Sequence, residues 1–177
     1  MERIAVFCAA SEDIAPVYAE KAAELGTWMG RHGKVLVYGG SVSGLMGQVA
    51  RAAKAAGALL MGVVPTRLEE RGKVSDLLDV TFRTDNLSDR KDVMLRESDV
   101  CVALPGGVGT LDEVFTVMAS AAIGYHDKKV IFYNINGFWD GLLRVLRELE
   151  AQGFVHRPLA DCTAVAHTFE ELTEMLN

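Results

Sequence analysis

The sequence of 177 residues lacks the features that define several protein classes. Its three cysteines, Cys8, Cys101 and Cys162, are odd in number and show neither a CxxC pair nor a metal-binding spacing. No run reaches the roughly 20 apolar residues of a membrane-spanning helix, and the apolar run at residues 4–10 lacks the layout of a signal peptide. Half of the residues are apolar, which excludes disordered and collagen-like chains. These absences predict a cytoplasmic, soluble protein with reduced cysteines and no membrane partner.

An excess of positive charge is also missing. The chain has 18 lysines and arginines against 24 aspartates and glutamates, for a net charge of −6. Because domains that bind nucleic acid usually carry a basic face, this balance argues against nucleic acid as a partner. It is compatible with a small anionic ligand held by a local cluster of cations.

Short β-rich runs alternate along the chain with longer helical segments, and several of the runs are continuously apolar, as in parallel strands buried on both faces. The pattern predicts an α/β fold: a doubly wound, Rossmann-like parallel sheet in three α/β/α layers, forming a single domain over residues 1–177. The predicted strands are 4–8, 35–38, 59–64, 80–83, 100–104, 130–133 and 164–166. The predicted helices are 16–32, 43–57, 87–98, 110–123, 138–151 and one beginning at Thr168, while 65–79 is expected to be a loop or a short helix.

The strongest motif is Leu-Pro-Gly-Gly-Val-Gly-Thr-Leu-Asp-Glu at residues 104–113, between a predicted strand and a predicted helix. Glycines let the backbone approach a ligand, and the start of a helix carries about half a positive charge. We therefore expect Gly106, Gly107, Gly109 and Thr110 to hold a phosphate. The alternative is a glycine-rich turn that binds nothing.

A second glycine cluster, at residues 39–47, follows the second predicted strand. Gly39, Gly40 and Ser41 are expected to converge on the same ligand, although glycines in this cluster could also serve close packing between helix and sheet. Neither cluster is a P-loop, because no Gly-Lys-Ser/Thr follows. Ser11 stands in a loop without glycine after the first strand, so the dinucleotide fingerprint is missing, which argues against NAD or FAD.

Three charged residues are candidates for chemistry. Glu113 lies three residues after Thr110, a spacing that fits either a capping box or a carboxylate at the rim of an anion pocket. Arg90 and Lys91 lie near a predicted helix start, where cations are unfavourable unless an anion is present. The alternative for this pair is a solvated face balanced by neighbouring aspartates.

Arg90-Lys91 followed by Pro-Gly-Gly-Val-Gly-Thr-Leu-Asp-Glu at 105–113 resembles the paired signature of the Lonely Guy proteins. These are cytokinin riboside 5′-monophosphate phosphoribohydrolases, long labelled lysine decarboxylases. The resemblance extends over nearly the whole chain, including Tyr-Gly-Gly at 38–40 and Gly-Tyr-His-Asp-Lys at 124–128. It departs from the family pattern at Leu87 and Ser88, where relatives have Met-His, and in the helix over 118–123; both regions shape the base side of the pocket in relatives.

The resemblance implies a homodimer that hydrolyses the N-glycosidic bond of an adenine-type nucleoside 5′-monophosphate, without metal or cofactor. It implies Arg90 and Glu113 as the catalytic pair. The phosphate side would be formed by the two glycine loops with Ser11 and Lys91. Residues 114–123, apolar around almost the full helix, are expected to form the dimer interface unless later loops cover them.

Two other functions are alternatives to this hydrolase. One is a nucleotide-binding or carrier protein that keeps both glycine loops and releases no base. The other is a pyridoxal-phosphate lysine decarboxylase, which requires a Schiff-base lysine and an acidic partner for the ring nitrogen. No convincing pair of this kind stands out in the sequence.

Overall fold

The computed structural model describes residues 2–177, which form one seven-stranded sheet in the order β4-β3-β2-β1-β5-β6-β7. Every neighbouring pair of strands is parallel, which confirms the predicted fold class. The strands are β1 (Arg3–Phe7), β2 (Val35–Tyr38), β3 (Leu59–Pro65), β4 (Val80–Thr84), β5 (Val100–Ala103), β6 (Val130–Tyr133) and β7 (Thr163–Ala166).

Helices connect the strands, and each predicted helix is present within a few residues of its expected bounds. They are α1 (Pro16–Arg31), α2 (Gly44–Ala55), α3 (Thr66–Glu70), α4 (Leu87–Arg96), α5 (Val108–Ala122), α6 (Asp140–Ala151), α7 (Leu159–Cys162) and α8 (Phe169–Leu176). The short α3 occupies part of the segment predicted as a loop or a short helix. The four-residue α7 was not predicted, because it is too short for a helical period to be visible in the sequence.

The sheet separates two apolar cores, because alternate side chains of a strand point to opposite faces. Ile4 and Val6 pack with α1, α2 and α8, whereas Ala5 and Phe7 pack with α4, α5, α6 and α7. Burial on both faces explains why the strands are continuously apolar in sequence. All three cysteines are buried and free, and within residues 2–177 no helix is both long and apolar enough to cross a membrane.

The order of the strands places the point of divergence between β1 and β5. The chain leaves β1 towards β2 and leaves β5 towards β6, on opposite sides of the pair. The loops after these strands stay close together, since Leu104 N donates to Phe7 O at 3.0 Å and Ala9 N donates to Pro105 O at 3.1 Å. Ligands of such sheets bind in the crevice beyond this point.

Candidate active site

A cleft of about 310 Å³ opens at the carboxyl ends of β1 and β5. Its walls come from the loop after β1, the starts of α2 and α4, and the first two turns of α5. The lining residues are Cys8, Ala9, Ala10, Ser11, Met46, Leu87, Arg90, Lys91, Gly107, Gly109, Thr110, Asp112 and Glu113. The structure therefore brings together seven of the predicted site residues: Ser11, Arg90, Lys91, Gly107, Gly109, Thr110 and Glu113.

The start of α5 faces this cleft without a cap. Its N-cap residue is Gly107, and no side chain of the described residues accepts a hydrogen bond from the first turn. A Cβ atom added at Gly107 or Gly109 would meet no atom within 4 Å, so the space in front of the helix is clear. Because the first N–H groups of a helix lack partners within it, this arrangement suits a phosphate.

The capping-box interpretation of Thr110 and Glu113 is wrong. The helix begins at Val108, two residues earlier than predicted, so Thr110 lies inside the first turn. The buried Thr110 side chain instead lies against Gly106, where an added Cβ would be 2.6 Å from the threonine Cβ. A capping threonine does exist elsewhere: Thr168 Oγ1 accepts from Glu171 N at 3.2 Å at the start of α8.

Glu113 is the buried carboxyl group of the cleft. Its side chain projects from the second turn of α5, the residue is 6% exposed, and its Oε2 atom has no hydrogen-bond partner within residues 2–177. Burial raises the pKa of Glu113 to about 7, although Arg90 and Lys91 lower the pKa and Asp112 raises it further. A carboxyl group with this pKa exchanges protons readily near neutral pH.

Arg90 is held beside this carboxyl group by the start of α4. Asn86 caps the helix, since its Oδ1 accepts from Ser88 N at 2.8 Å and from Asp89 N at 2.9 Å. The half-buried Arg90 donates from Nε to Val63 O at 3.1 Å. Its guanidinium group passes directly over Gly39, where an added Cβ would overlap Nη2 of Arg90. No local pattern in the sequence indicated this role of Gly39, which makes room for the arginine.

Lys91 and Asp112 join the two helices that flank the cleft. Lys91 Nζ lies 2.7 Å from Asp112 Oδ1, and the lysine side chain is only 16% exposed. Lys91 therefore lines the cleft while its ammonium group is paired with Asp112. Ser11, in the loop after β1, is an exposed residue of the cleft lining.

The loop after β2 contributes to packing around the cleft more than to its surface. Gly40 has φ 73° and its carbonyl accepts from Ser75 N at 2.8 Å, while Ser41 Oγ accepts from Ser43 N at 3.2 Å. Gly39, Gly40, Ser41 and Gly106 do not line the cleft in this structure. Their role in binding stays a prediction.

The residues of the cleft do not fit a pyridoxal-phosphate lysine decarboxylase. The lysine that lines the cleft, Lys91, is held in an ion pair with Asp112 at 2.7 Å, so its amine is committed as an ammonium ion and is not available as a Schiff-base nucleophile. A Schiff-base lysine and a separate acid for the cofactor ring are both required.

The sequence matches a family model described as possible lysine decarboxylase over residues 46–176. A rice (Oryza sativa subsp. japonica) protein named probable cytokinin riboside 5′-monophosphate phosphoribohydrolase is 38% identical over 176 residues, covering 96% of this chain and 78% of its own. An Arabidopsis thaliana cytokinin riboside 5′-monophosphate phosphoribohydrolase is 33% identical over 174 residues, covering 98% and 81%. The chain belongs to the Lonely Guy family.

Solved structures share the fold. The Moco carrier protein from Chlamydomonas reinhardtii aligns with a TM-score of 0.76 and 26% identity, covering 99% of this chain and 94% of that chain. The molybdenum cofactor binding protein from the phototrophic bacterium Rippkaea orientalis gives a TM-score of 0.75 at 26% identity, with the same coverage. Proteins with this fold therefore carry names of both enzymes and carriers.

Proposed function

We propose that this protein hydrolyses the N-glycosidic bond of adenine-type nucleoside 5′-monophosphates, either AMP or a cytokinin riboside monophosphate. The products would be the free base and ribose 5-phosphate. One observation carries the proposal: the buried Glu113 carboxyl, whose Oε2 has no hydrogen-bond partner within residues 2–177, lies in the second turn of α5, close to its uncapped start and beside Arg90. The named activity of the relatives supports it.

In this mechanism the start of α5 binds the 5′-phosphate and thereby fixes the position of the sugar. Cleavage of the glycosidic bond develops positive charge on the ribose, as in other glycoside hydrolysis. Ionised Glu113 stabilises this charge and accepts a proton from the attacking water. The amount of ionised Glu113 rises through pH 7, so we expect the rate of base release to rise over the same range.

Arg90 acts by positioning the substrate. Its guanidinium group is fixed by Val63 O and by contact with Gly39, which leaves donors available for a phosphate or a ribose hydroxyl. Binding energy from the phosphate, remote from the bond that breaks, aligns that bond with Glu113. Both residues are therefore required for turnover.

The test is release of adenine from AMP, followed by chromatography. Glu113→Gln and Arg90→Ala should each lower turnover by about 10²–10⁴-fold, with circular dichroism unchanged. Glu148→Gln, an exposed carboxylate on α6, is the control and should retain full activity. Release of adenine by Glu113→Gln at the wild-type rate would overturn the assignment.

We also propose that the chain forms a homodimer through α5 and the segment that follows it. One side of α5 packs in the core through Val114 and Val117, whereas Phe115, Ile123 and Tyr125 lie exposed, the last two at 72% and 80%. An exposed apolar surface of this kind marks an interaction site. Sedimentation velocity should give a dimer for the wild type and a monomer for Ile123→Asp. Val145→Asp, on the exposed side of α6, should remain dimeric.

A nucleotide carrier is the second candidate, because the solved structures with this fold include Moco carrier proteins. A carrier would bind AMP without releasing adenine. Calorimetry together with the chromatography above distinguishes the two functions. The cytoplasmic location stays a prediction from the sequence.

A further inference from the structure

A second cavity, of about 460 Å³, adjoins the catalytic cleft between α3 and the start of α4. Leu87 and Arg90 line both spaces and form the boundary between them. We name the second space the arginine cavity, because Arg67 and Arg71 line it together with Arg90. The mechanism proposed above assigns no group of the substrate to this space.

The charge of the arginine cavity is unbalanced. Three arginines and one acidic residue, Asp85, are among its lining residues, which gives these charged groups a net charge of 3 − 1 = +2. Arg67 and Arg71 lie one helical turn apart and therefore share a face. Neither side chain forms a hydrogen bond or an ion pair within residues 2–177. The neighbouring Arg83, by contrast, is paired with Glu69 at 3.0 Å.

The remaining lining groups do not neutralise this charge. Asn86 Oδ1 is already occupied by two amides at the start of α4. Leu68 and Leu87 contribute apolar surface to the lining. Guanidinium groups offer planar pairs of donors that match the oxygens of a phosphoryl group.

We propose that the arginine cavity is a second anion site that binds a phosphoryl group, separate from the phosphate site at the start of α5. Two sources share this chemistry: a further phosphoryl group of a bound nucleotide, or a free phosphate ion. The proposal goes beyond hydrolysis of AMP and does not depend on it. Arg90 lines both sites and would then lie close to an anion bound in either one.

The test is a titration of the ¹⁵N-labelled full chain with inorganic phosphate, followed by backbone amide NMR at constant ionic strength. Two groups of signals report the two sites: residues 107–110 for the start of α5, and residues 66–72 for the arginine cavity. In the wild type both groups should shift. The variant Gly109→Asp, which places a carboxylate at the first site, should leave only the shifts at 66–72.

The double variant Arg67→Gln/Arg71→Gln should show the reverse, with shifts at 107–110 only. Arg144→Gln/Arg147→Gln removes two exposed positive charges from α6 and is the control for net charge; it should behave as the wild type. Absence of shifts at 66–72 in the wild type would overturn the proposal. So would equal shifts at 66–72 in the double variant.

To identify the source of the phosphoryl group, nucleotides are added to the Glu113→Gln variant, in which turnover is expected to be too slow to consume them. If the group belongs to the nucleotide, ADP shifts both sets of signals with one dissociation constant, and AMP shifts only 107–110. If it is a free ion, phosphate still shifts 66–72 in protein saturated with AMP. If AMP shifts 66–72 equally with and without Arg67 and Arg71, the cavity binds the base by apolar contact, and the anion site is refuted.

Discussion

The starts of α2 and α5 have similar sequences and opposite environments. Each follows a strand near the centre of the sheet through a glycine-rich loop, and neither has a side-chain cap within the described chain. At α2, however, the first amides are occupied, because Leu45 N and Met46 N donate to Ala9 O at 2.9 and 3.4 Å. At α5 the corresponding space is empty and opens into the cleft. A glycine loop before a helix therefore marks either close packing or a ligand site, and only the neighbouring loop decides which.

The largest expected effect concerns the buried Glu113 carboxyl in α5, which we expect to lower the stability of the fold when it is ionised. The pKa of Glu113 is about 7 in the folded chain and 4.5 for an ordinary glutamate. Below pH 4.5 the group is protonated in both states and has no effect. Between pH 4.5 and 7 the Glu113 carboxyl is ionised in the unfolded chain but still largely protonated in the folded chain. The free energy of unfolding therefore falls as pH rises through this range, and the full loss is reached above pH 7.

Above pH 7, the free energy of unfolding of Glu113→Gln should therefore exceed that of the wild type by up to about 3 kcal/mol. The two proteins should be equally stable near pH 4.5. Parallel urea titrations at several pH values measure the difference. A difference that does not change with pH would show that the carboxyl titrates normally and would remove the proposed base.

Gly109→Asp tests whether the start of α5 binds the phosphate of AMP. The added side chain has open space, and an acidic residue is favourable near a helix start, so the fold should be retained. The carboxylate would repel a bound phosphate, and affinity for AMP should fall by about 100-fold. Gly141→Asp makes the same change at the second position of α6, again in open space, and should bind AMP normally. Calorimetry with both variants measures the effect.

At the start of α2, by contrast, Gly44→Ala should lower the stability of the fold. Gly44 has φ 57°, and an added Cβ would lie 2.6 Å from the backbone of Ala10 and Ser11. We expect a loss of about 1–3 kcal/mol in stability. Gly57→Ala, at φ 96° in open space, isolates the effect of the backbone angle and should be the milder variant. Equal losses would mean that the contact with the loop after β1 contributes nothing.

The smallest effect concerns α4, the third helix that begins near the cleft and the one with a side-chain cap. Asn86→Ala removes both hydrogen bonds to the first turn and should lower stability by about 1 kcal/mol. Because this turn orients Arg90, KM for AMP should rise as well. Asn177→Ala, at the end of α8, provides a control for loss of an amide. An unchanged KM would show that Val63 and Gly39 suffice to hold the arginine.

The sequence predicted the strands, the principal helices and the edge of the sheet where the cleft opens, because apolar runs and glycine clusters are local patterns. It predicted Arg90 and Glu113 as the candidate pair through the resemblance to a family. It did not predict that Gly39 makes room for Arg90, since that contact joins residues 51 positions apart. It also left Glu113 between a capping and a functional role, because the spacing after Thr110 fits both.

The amino-acid sequence by itself determined the α/β class and the order of elements, and it predicted an anion at the glycine-rich helix starts. Tertiary structure alone decided which helix start is open, which carboxyl is buried without a partner, and which arginines face a common cavity. The physical reason is that the occupancy of a backbone amide and the pKa of a carboxyl depend on atoms from distant segments. Those atoms become neighbours only when β1 and β5 pair at the centre of the sheet.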